Sequence, residues 1–134
     1  MIESKKVVVV DDDLKVTMMM EQALMKRGFQ VFSANEGKKA LELVKNKNPD
    51  VVVTDILQPG LDGVSLCNLI KSDPILGDIK VIIISGVYNE ASFKTQMDCR
   101  RHDGFIEKPV DINNLVELIV KKIGQCFESF ESKG

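Results

Sequence analysis

Histidine and cysteine are scarce in this chain of 134 residues, which has one histidine and three cysteines. Cys67, Cys99 and Cys126 are odd in number and far apart, so they fit neither a disulfide framework nor a paired CxxC metal site. The lone histidine, His102, argues against a histidine-based metal centre or catalytic triad. These absences favour reduced thiols, and we expect a cytoplasmic protein.

Long apolar runs and a strong charge of one sign are also absent. No stretch has the roughly 20 apolar residues of a membrane helix, and the first residues lack the apolar core of a signal peptide. The net charge is −2, so no basic surface predicts nucleic-acid binding by this domain. The length and the balance of apolar and charged residues predict a single globular domain.

What the chain does contain is a set of β-branched runs that end in polar residues. Residues 7–10, 51–53 and 81–84 are valine and isoleucine, and residues 104–107 form a fourth run. Such runs are typical of strands in a parallel sheet, because helices cover both faces. Ligands of such sheets bind beyond the carboxyl ends of the strands. We therefore expect five residues to converge there: Asp11, Asp12, Asp55, Ser85 and Lys108.

Helical spacing between the runs predicts five strands alternating with five helices and right-handed crossovers. The second strand is predicted over residues 30–33, the fourth helix over residues 89–102, and the fifth helix from about Asp111. Asn35 is the predicted N-cap of the second helix, whereas Asp13 and Asp62 are expected at the starts of the first and third. The predicted buried stripe of the first helix comprises Val16, Met19, Met20, Ala23, Leu24 and Arg27.

The order and spacing of the polar residues resemble the receiver domain of response regulators, the phosphoacceptor half of two-component signalling. The resemblance covers roughly residues 5–123. The residues that carry it are Asp11, Asp12, Asp55 with the segment of residues 58–63, Ser85, Gly86, Lys108 and Pro109. It implies a flavodoxin-like α/β fold, a doubly wound five-stranded parallel sheet in the order 2-1-3-4-5 between two helix layers. We expect a receiver over residues 1–124, with residues 125–134 extending the last helix and ending in a frayed tail.

The resemblance also implies roles for individual residues. Asp55 is the expected phosphoacceptor, Lys108 is expected to stabilise the transferred charge, and the Ser85 hydroxyl is expected to bond a phosphoryl oxygen. Pro109 is expected to be cis. The implied cofactor is Mg²⁺. Its implied ligands are Asp11, Asp12, Asp55 and the backbone carbonyl of Leu57.

The partner implied by the resemblance is a sensor histidine kinase or a histidine phosphotransfer protein, with no direct contact to nucleic acid or membrane. Ser85 and Phe105 are the expected switch residues. The face made by the predicted fourth helix, fifth strand and fifth helix would then change partners, and a self-dimer through it is one expected outcome. The protein is expected to catalyse its own phosphorylation and dephosphorylation rather than to act as a conventional enzyme.

Two alternative functions fit parts of the pattern. A haloacid-dehalogenase-like phosphatase also needs Mg²⁺ and two aspartates two residues apart, which Asp11 and Asp13 could imitate. However, Lys15 stands where that family has Thr or Val, and Asp55 would have no role. A degenerate receiver would bind a partner without phosphorylation. The argument against it is the intact set of Asp12, Asp55, Ser85 and Lys108.

Methionines on the outer side of the first helix suggest a docking surface. Met18 and Met25 lie seven residues apart, away from the predicted buried stripe. Flexible thioethers suit an adaptable contact with a helical partner, although ordinary surface residues of a helix would look the same.

Overall fold

In the computed structural model, residues 5–56, 60–86 and 102–131 are described, with side chains up to residue 124. The strands within them are β1 (Lys6–Val10), β2 (Gln30–Ala34), β3 (Val51–Asp55), β4 (Lys80–Ser85) and β5 (Gly104–Glu107). The helices within them are α1 (Leu14–Lys26), α2 (Gly37–Lys47), α3 (Gly63–Ser72) and α4 (Ile112–Glu131). Helix α4 is the one that the sequence predicts as the fifth. The fourth helix, predicted over residues 89–102, falls outside the described part except for its last residue.

The five strands form one parallel sheet in the order β2-β1-β3-β4-β5, so the predicted order is confirmed. Its register aligns the carboxyl ends of the central strands. Val10 at the end of β1 pairs with Thr54, and Asp55 at the end of β3 pairs with Ile84. Ser85 follows Ile84 and pairs with Glu107 of β5. The polar residues that end β1, β3, β4 and β5 therefore share one edge of the sheet.

The core lies on both faces of the sheet, which explains why the strand runs are apolar without alternation. Successive strand side chains point to opposite faces, and the four valines of β1 are fully buried. One face packs on α2 and α3, with a core that includes Val8, Val10, Val52, Ile83, Ala40, Val44, Leu66, Cys67 and Ile70. The other packs on α1 and α4, with a core that includes Val7, Val9, Val53, Ile82, Met20, Leu24, Leu115 and Ile119. The doubly wound architecture is thus confirmed.

The starts of the first three helices agree with the prediction at α1 and α3 and differ at α2. Asp13 caps α1 by accepting from the Lys15 N–H at 2.9 Å. Asp62 caps α3 by accepting from the Ser65 N–H at 2.8 Å. The prediction of Asn35 as the cap of α2 is wrong, because the N-cap is Glu36 and it makes no side-chain capping bond.

The buried stripe of α1 differs from the prediction at two of its six residues. Met20 and Leu24 are buried as predicted, but Met19 is 43% exposed and Arg27 is also exposed. The third buried position is Thr17, three residues before Met20. Thr17 reaches the core because its hydroxyl bonds to main-chain oxygens at the helix start, which removes the cost of burying it. None of the helices in the described part combines the length and apolarity that a bilayer span requires.

Candidate functional site

Three aspartates converge at the carboxyl edge of the sheet. Asp11 follows β1, Asp12 lies one residue further, and Asp55 ends β3, which is hydrogen-bonded to β1. One carboxylate oxygen from each lies within 4.8 Å of the other two. Asp11 and Asp55 are buried, at 1% and 7% exposure, whereas Asp12 is open to solvent. The cluster therefore has two buried carboxylates and one that solvent can reach.

Lys108 is the cation that links two of these carboxylates. Its Nζ donates to Asp55 Oδ2 at 2.8 Å and lies 3.0 Å from Asp11 Oδ2. The Lys108 N–H donates to the Ser85 carbonyl at 2.8 Å, which holds the end of β5 beside the end of β4. The Lys108–Pro109 peptide bond is cis, as the resemblance predicts. Lys108, which follows the edge strand β5, thus reaches across the end of β4 to residues at the ends of β3 and β1.

Gly86 leaves the space that the Lys108 side chain uses. A Cβ added at Gly86 would lie 3.0 Å from Lys108 Cδ and 3.3 Å from its Cβ. A larger residue at position 86 would press on the alkyl chain that carries the ammonium towards Asp55. Gly86, one of the residues that carry the resemblance, therefore accommodates the Lys108 side chain.

The pKa values of Asp11 and Lys108 are both shifted, because these groups are partly buried and close to other charges. Burial raises the pKa of the Asp11 carboxyl above its usual value, and the Asp13 N–H and Lys108 oppose this rise only in part. Burial lowers the pKa of Lys108, but its polar contacts with Asp55 and Asp11, and their negative charges, more than offset this and raise it above the usual value. Lys108 is therefore charged at neutral pH.

Ser85 contributes a buried hydroxyl. It ends β4, is 2% exposed, and its Oγ has no hydrogen-bond partner among the residues that the structure describes. A buried hydroxyl without a partner costs free energy. At the same edge as Asp55, this hydroxyl is suited to bond an oxygen of a bound ligand.

The donor set fits a hard divalent cation. Three carboxylates and one ammonium carry formal charges of −3 and +1, a net charge of −2. Mg²⁺ prefers carboxylate oxygens, keeps several waters and binds phosphate oxygens, and the exposed Asp12 leaves one side of the cluster open to them. Asp11 Oδ1 also accepts from the Asp13 N–H at 2.8 Å. Leu57, the fourth predicted ligand, lies outside the described residues.

Thr17 is a residue of this site that the sequence analysis missed. Its Oγ1 lies 3.2 Å from the Asp11 carbonyl oxygen and 3.1 Å from the Asp13 carbonyl oxygen. It therefore ties the first turn of α1 to the loop that carries Asp11 and Asp12. The signal in the sequence is a threonine four residues after a capping aspartate, in line with Met20 and Leu24 on the buried stripe.

Comparison with known proteins decides the family. Residues 7–120 match the family described as the response regulator receiver domain. The chain belongs to this family. Receiver domains of this kind interact with histidine kinases and generally bind Mg²⁺ at an acidic pocket. The family match and the capping role of the Asp13 side chain leave the haloacid-dehalogenase-like alternative without support.

Related proteins extend beyond the region they share with this chain. A "Probable transcriptional regulator ycf27" of Guillardia theta is 33% identical over 105 residues, covering 78% of this chain and 40% of that protein. A "Probable transcriptional regulator ycf29" of Pyropia yezoensis is 30% identical over 118 residues, covering 87% and 52%. The chain thus spans about half the length, or less, of these curated relatives.

Solved structures agree with the receiver fold. The Francisella response regulator 1452 receiver domain is 28% identical, with a TM-score of 0.81, covering 92% of this chain and 99% of that chain. The Vibrio cholerae chemotaxis response regulator CheY4 has a TM-score of 0.80 at 19% identity, covering 89% and 98%. The second similarity concerns the fold alone.

Proposed function

We propose that this receiver accepts a phosphoryl group on Asp55 from a phosphohistidine of a sensor histidine kinase or histidine phosphotransfer protein. The observation that carries the proposal is the contact of the buried Asp55 carboxylate with Lys108 at 2.8 Å, inside a cluster of three aspartates. A carboxylate is a sufficient nucleophile for phosphoryl transfer when the developing charge is neutralised. Lys108 stands where that neutralisation is needed.

In the proposed reaction, one Asp55 oxygen forms a bond to phosphorus while the bond from phosphorus to the donor nitrogen breaks. The electron pair leaves with the nitrogen, which takes a proton if the donor is phosphoramidate. Lys108 holds the Asp55 carboxylate in place before transfer and pairs with phosphoryl oxygens as they approach. The Ser85 hydroxyl donates to a phosphoryl oxygen once Asp55 is modified, and so gains the partner it lacks among the described residues.

We further propose Mg²⁺ as the cofactor, held by Asp11, Asp12, Asp55 and the backbone carbonyl of Leu57. The ion would offset the repulsion among the carboxylates and neutralise phosphoryl oxygens during transfer. Asp12 would supply a solvent-accessible carboxylate to the ion. Asp11 would contact the ion from the buried side of the cluster, and its oxygens already contact the Asp13 N–H and Lys108.

The proposed function has a direct test with a small phosphodonor. Incubation with phosphoramidate and Mg²⁺ is expected to add one phosphoryl group to the chain, measured by intact mass. Chelation of Mg²⁺ is expected to stop the reaction, because the clustered carboxylates then repel the anionic donor. Absence of labelling under both conditions is the outcome that a degenerate receiver, acting by binding alone, would give.

The proposed output is a change of partners. Phe105 on β5 is partly buried against the core that includes Ile83, so its ring can repack when the Ser85 hydroxyl bonds a phosphoryl oxygen. We propose that Ser85 and Phe105 move together and alter the face that includes β5 and α4, with self-dimerisation as one consequence. The predicted fourth helix, which completes this face, lies outside the described residues.

We propose a receiver unit over residues 1–124 and an extension of the last helix with its tail over residues 125–134. The cytoplasm is the proposed location, where the buried Cys67 thiol stays reduced. Any contact of a longer protein with nucleic acid is assigned to parts outside this domain, because the relatives named as transcriptional regulators extend well beyond the matched region.

Apolar side chains on the outer side of α1 are proposed to help dock the phosphodonor protein. Met18 is 47% exposed, Met25 is 59% exposed and Leu14, beside the acidic loop, is 71% exposed. Met18→Lys is expected to slow transfer from a phosphorylated partner by about tenfold or more, because a charge replaces a desolvated contact. The rate of labelling by phosphoramidate is expected to stay unchanged.

Leu69 on α3, also 47% exposed, offers a matched control on the other face of the sheet. Leu69→Lys is expected to leave both reactions unchanged. Equal slowing of the partner reaction by the two lysine variants would show a general effect of surface charge and contradict docking through α1.

A further inference from the structure

The start of α2 lies directly against the segment that joins β3 to α3. Gly37, the first residue of α2, is buried, and a Cβ added there would overlap the carbonyl oxygen of Leu61. The same atom would lie 2.6 Å from Leu61 Cβ and 2.7 Å from the Leu61 carbonyl carbon. Carbon atoms in contact normally lie about 3.5–4.0 Å apart, so no side chain fits at position 37 while Leu61 keeps its place.

Two residues after Leu61, the same segment touches the backbone of Asp55. A Cβ added at Gly63 would overlap the Asp55 carbonyl oxygen and lie 3.0 Å from the Asp55 carbonyl carbon and from Ile56 Cα. The Gly63 N–H also donates to the Ile56 carbonyl at 2.9 Å. The chain around Leu61 and Gly63 is therefore held between the first residue of α2 and the backbone of Asp55.

Neither α2 nor the chain around Leu61 and Gly63 can move easily to make room for a side chain at position 37. Helix α2 is anchored by Ala40 and Val44, both fully buried in the core. On the other side, the atoms that meet Gly37 are mainly backbone, so they cannot turn away as the end of a flexible side chain would. Asp62 is further fixed as the N-cap of α3 by its bond to the Ser65 N–H.

We propose that Gly37 is a positioning residue for the Asp55 site, acting through Leu61 and Gly63 on the placement of the Asp55 backbone. The proposal rests on the phosphoacceptor function proposed above. It means that the start of α2 influences how the Asp55 site binds metal and phosphoryl groups. A methyl group at position 37 forces the Leu61 backbone to move by on the order of an ångström to restore ordinary contact distances. Misplacement of that size in a reaction site costs about a hundredfold in rate.

The variant Gly37→Ala tests the proposal. Labelling by phosphoramidate at saturating Mg²⁺ is expected to slow by about tenfold to a hundredfold. The Mg²⁺ dissociation constant, measured by titration of the unphosphorylated protein, is expected to rise severalfold. The urea midpoint of unfolding is measured in parallel, so that the site and the fold are assessed separately.

Two control variants separate position from stability. Gly124→Ala changes another helical glycine, one with nothing within 4 Å of the added Cβ, and is expected to behave as wild type at the site. Ile119→Ala removes fully buried contacts of α4 on the other face of the sheet and is expected to lower the urea midpoint without changing the Mg²⁺ dissociation constant or the labelling rate.

The link between Gly37 and the Asp55 site can also be measured in the wild-type protein, without any variant. During a Mg²⁺ titration followed by amide NMR, the Gly37 signal is expected to shift with the same midpoint as the signals of Asp12 and Asp55. If Gly37→Ala does not fold, this measurement still decides the proposal.

The results that would overturn the role of Gly37 are distinct from those that would overturn the proposed function. Wild-type Mg²⁺ affinity and labelling in Gly37→Ala would contradict it, as would an unshifted Gly37 signal. If Ile119→Ala had the same urea midpoint as Gly37→Ala and lost Mg²⁺ affinity and labelling to the same extent, the effect would be one of stability and the role of Gly37 would be contradicted. A wild-type chain that binds Mg²⁺ but takes no label would contradict phosphoacceptance alone, and the Mg²⁺ affinity of Gly37→Ala would still decide the role of Gly37.

Discussion

Replacement of Asp55 by asparagine is expected to lower phosphoryl labelling by at least about a thousandfold, since loss of a nucleophile has effects of this size or larger. The amide keeps the shape and an oxygen that can accept the 2.8 Å bond from Lys108. It lacks the anionic oxygen that attacks phosphorus. The measurement is the rate of phosphoramidate labelling at saturating Mg²⁺, followed by intact mass.

Asp50 offers a control at the opposite edge of the sheet. It lies just before β3, and its Oδ2 accepts from the Lys6 N–H at 2.9 Å. Asp50→Asn keeps an acceptor there and is expected to be labelled at the wild-type rate. Substantial labelling of Asp55→Asn would place the phosphoacceptor on another residue.

Replacement of Lys108 by methionine is expected to have opposite effects on transfer and on metal binding. Labelling is expected to fall by about a hundredfold, the usual cost of removing a group that stabilises transition-state charge. Mg²⁺ is expected to bind more tightly, because the formal charge of the cluster changes from −2 to −3 when its one ammonium is removed. Without Mg²⁺, the loss of the ammonium beside Asp11 and Asp55 is expected to destabilise the fold by roughly 1–3 kcal/mol.

Lys71 provides a matched lysine outside the site. Its Nζ lies 2.7 Å from Asp103 Oδ2 and donates to the Ile79 carbonyl at 2.8 Å, at the amino edge of the sheet. Lys71→Met is expected to lower the urea midpoint while leaving Mg²⁺ affinity and labelling at wild-type values. Weaker Mg²⁺ binding in Lys108→Met would mean that the lysine holds the carboxylates together instead of competing with the cation.

The sheet could be predicted from the sequence because its strands are buried on both faces. The valines of β1 and the isoleucines of β4 form unbroken apolar runs, and such runs have few alternatives to a parallel α/β sheet. The convergence of Asp11, Asp55 and Lys108 follows from the same fact, since parallel strands end at a common edge. The strand order itself came from resemblance to a family rather than from the pattern of residues.

The burial of Thr17 was missed although its cause is local. Met19 looks as apolar as Met20, but Thr17 takes the buried place because two nearby main-chain oxygens accept its hydroxyl.

Features that depend on contacts between distant elements could not be predicted. The close approach of Gly37, at the start of α2, to the backbone of Leu61 is one of them, since no local pattern reveals it. That Lys108 contacts both Asp11 and Asp55 likewise requires the three-dimensional register of β1, β3 and β5.

Whether Asp55 is the phosphoacceptor can be decided by identifying the phosphorylated residue in the wild-type protein. After labelling with phosphoramidate and Mg²⁺, borohydride reduces an aspartyl phosphate to homoserine, which peptide mass analysis can locate. We expect conversion of Asp55 and of no other aspartate. Conversion of Asp11 or Asp12, or a phosphoryl group that resists borohydride, would contradict it.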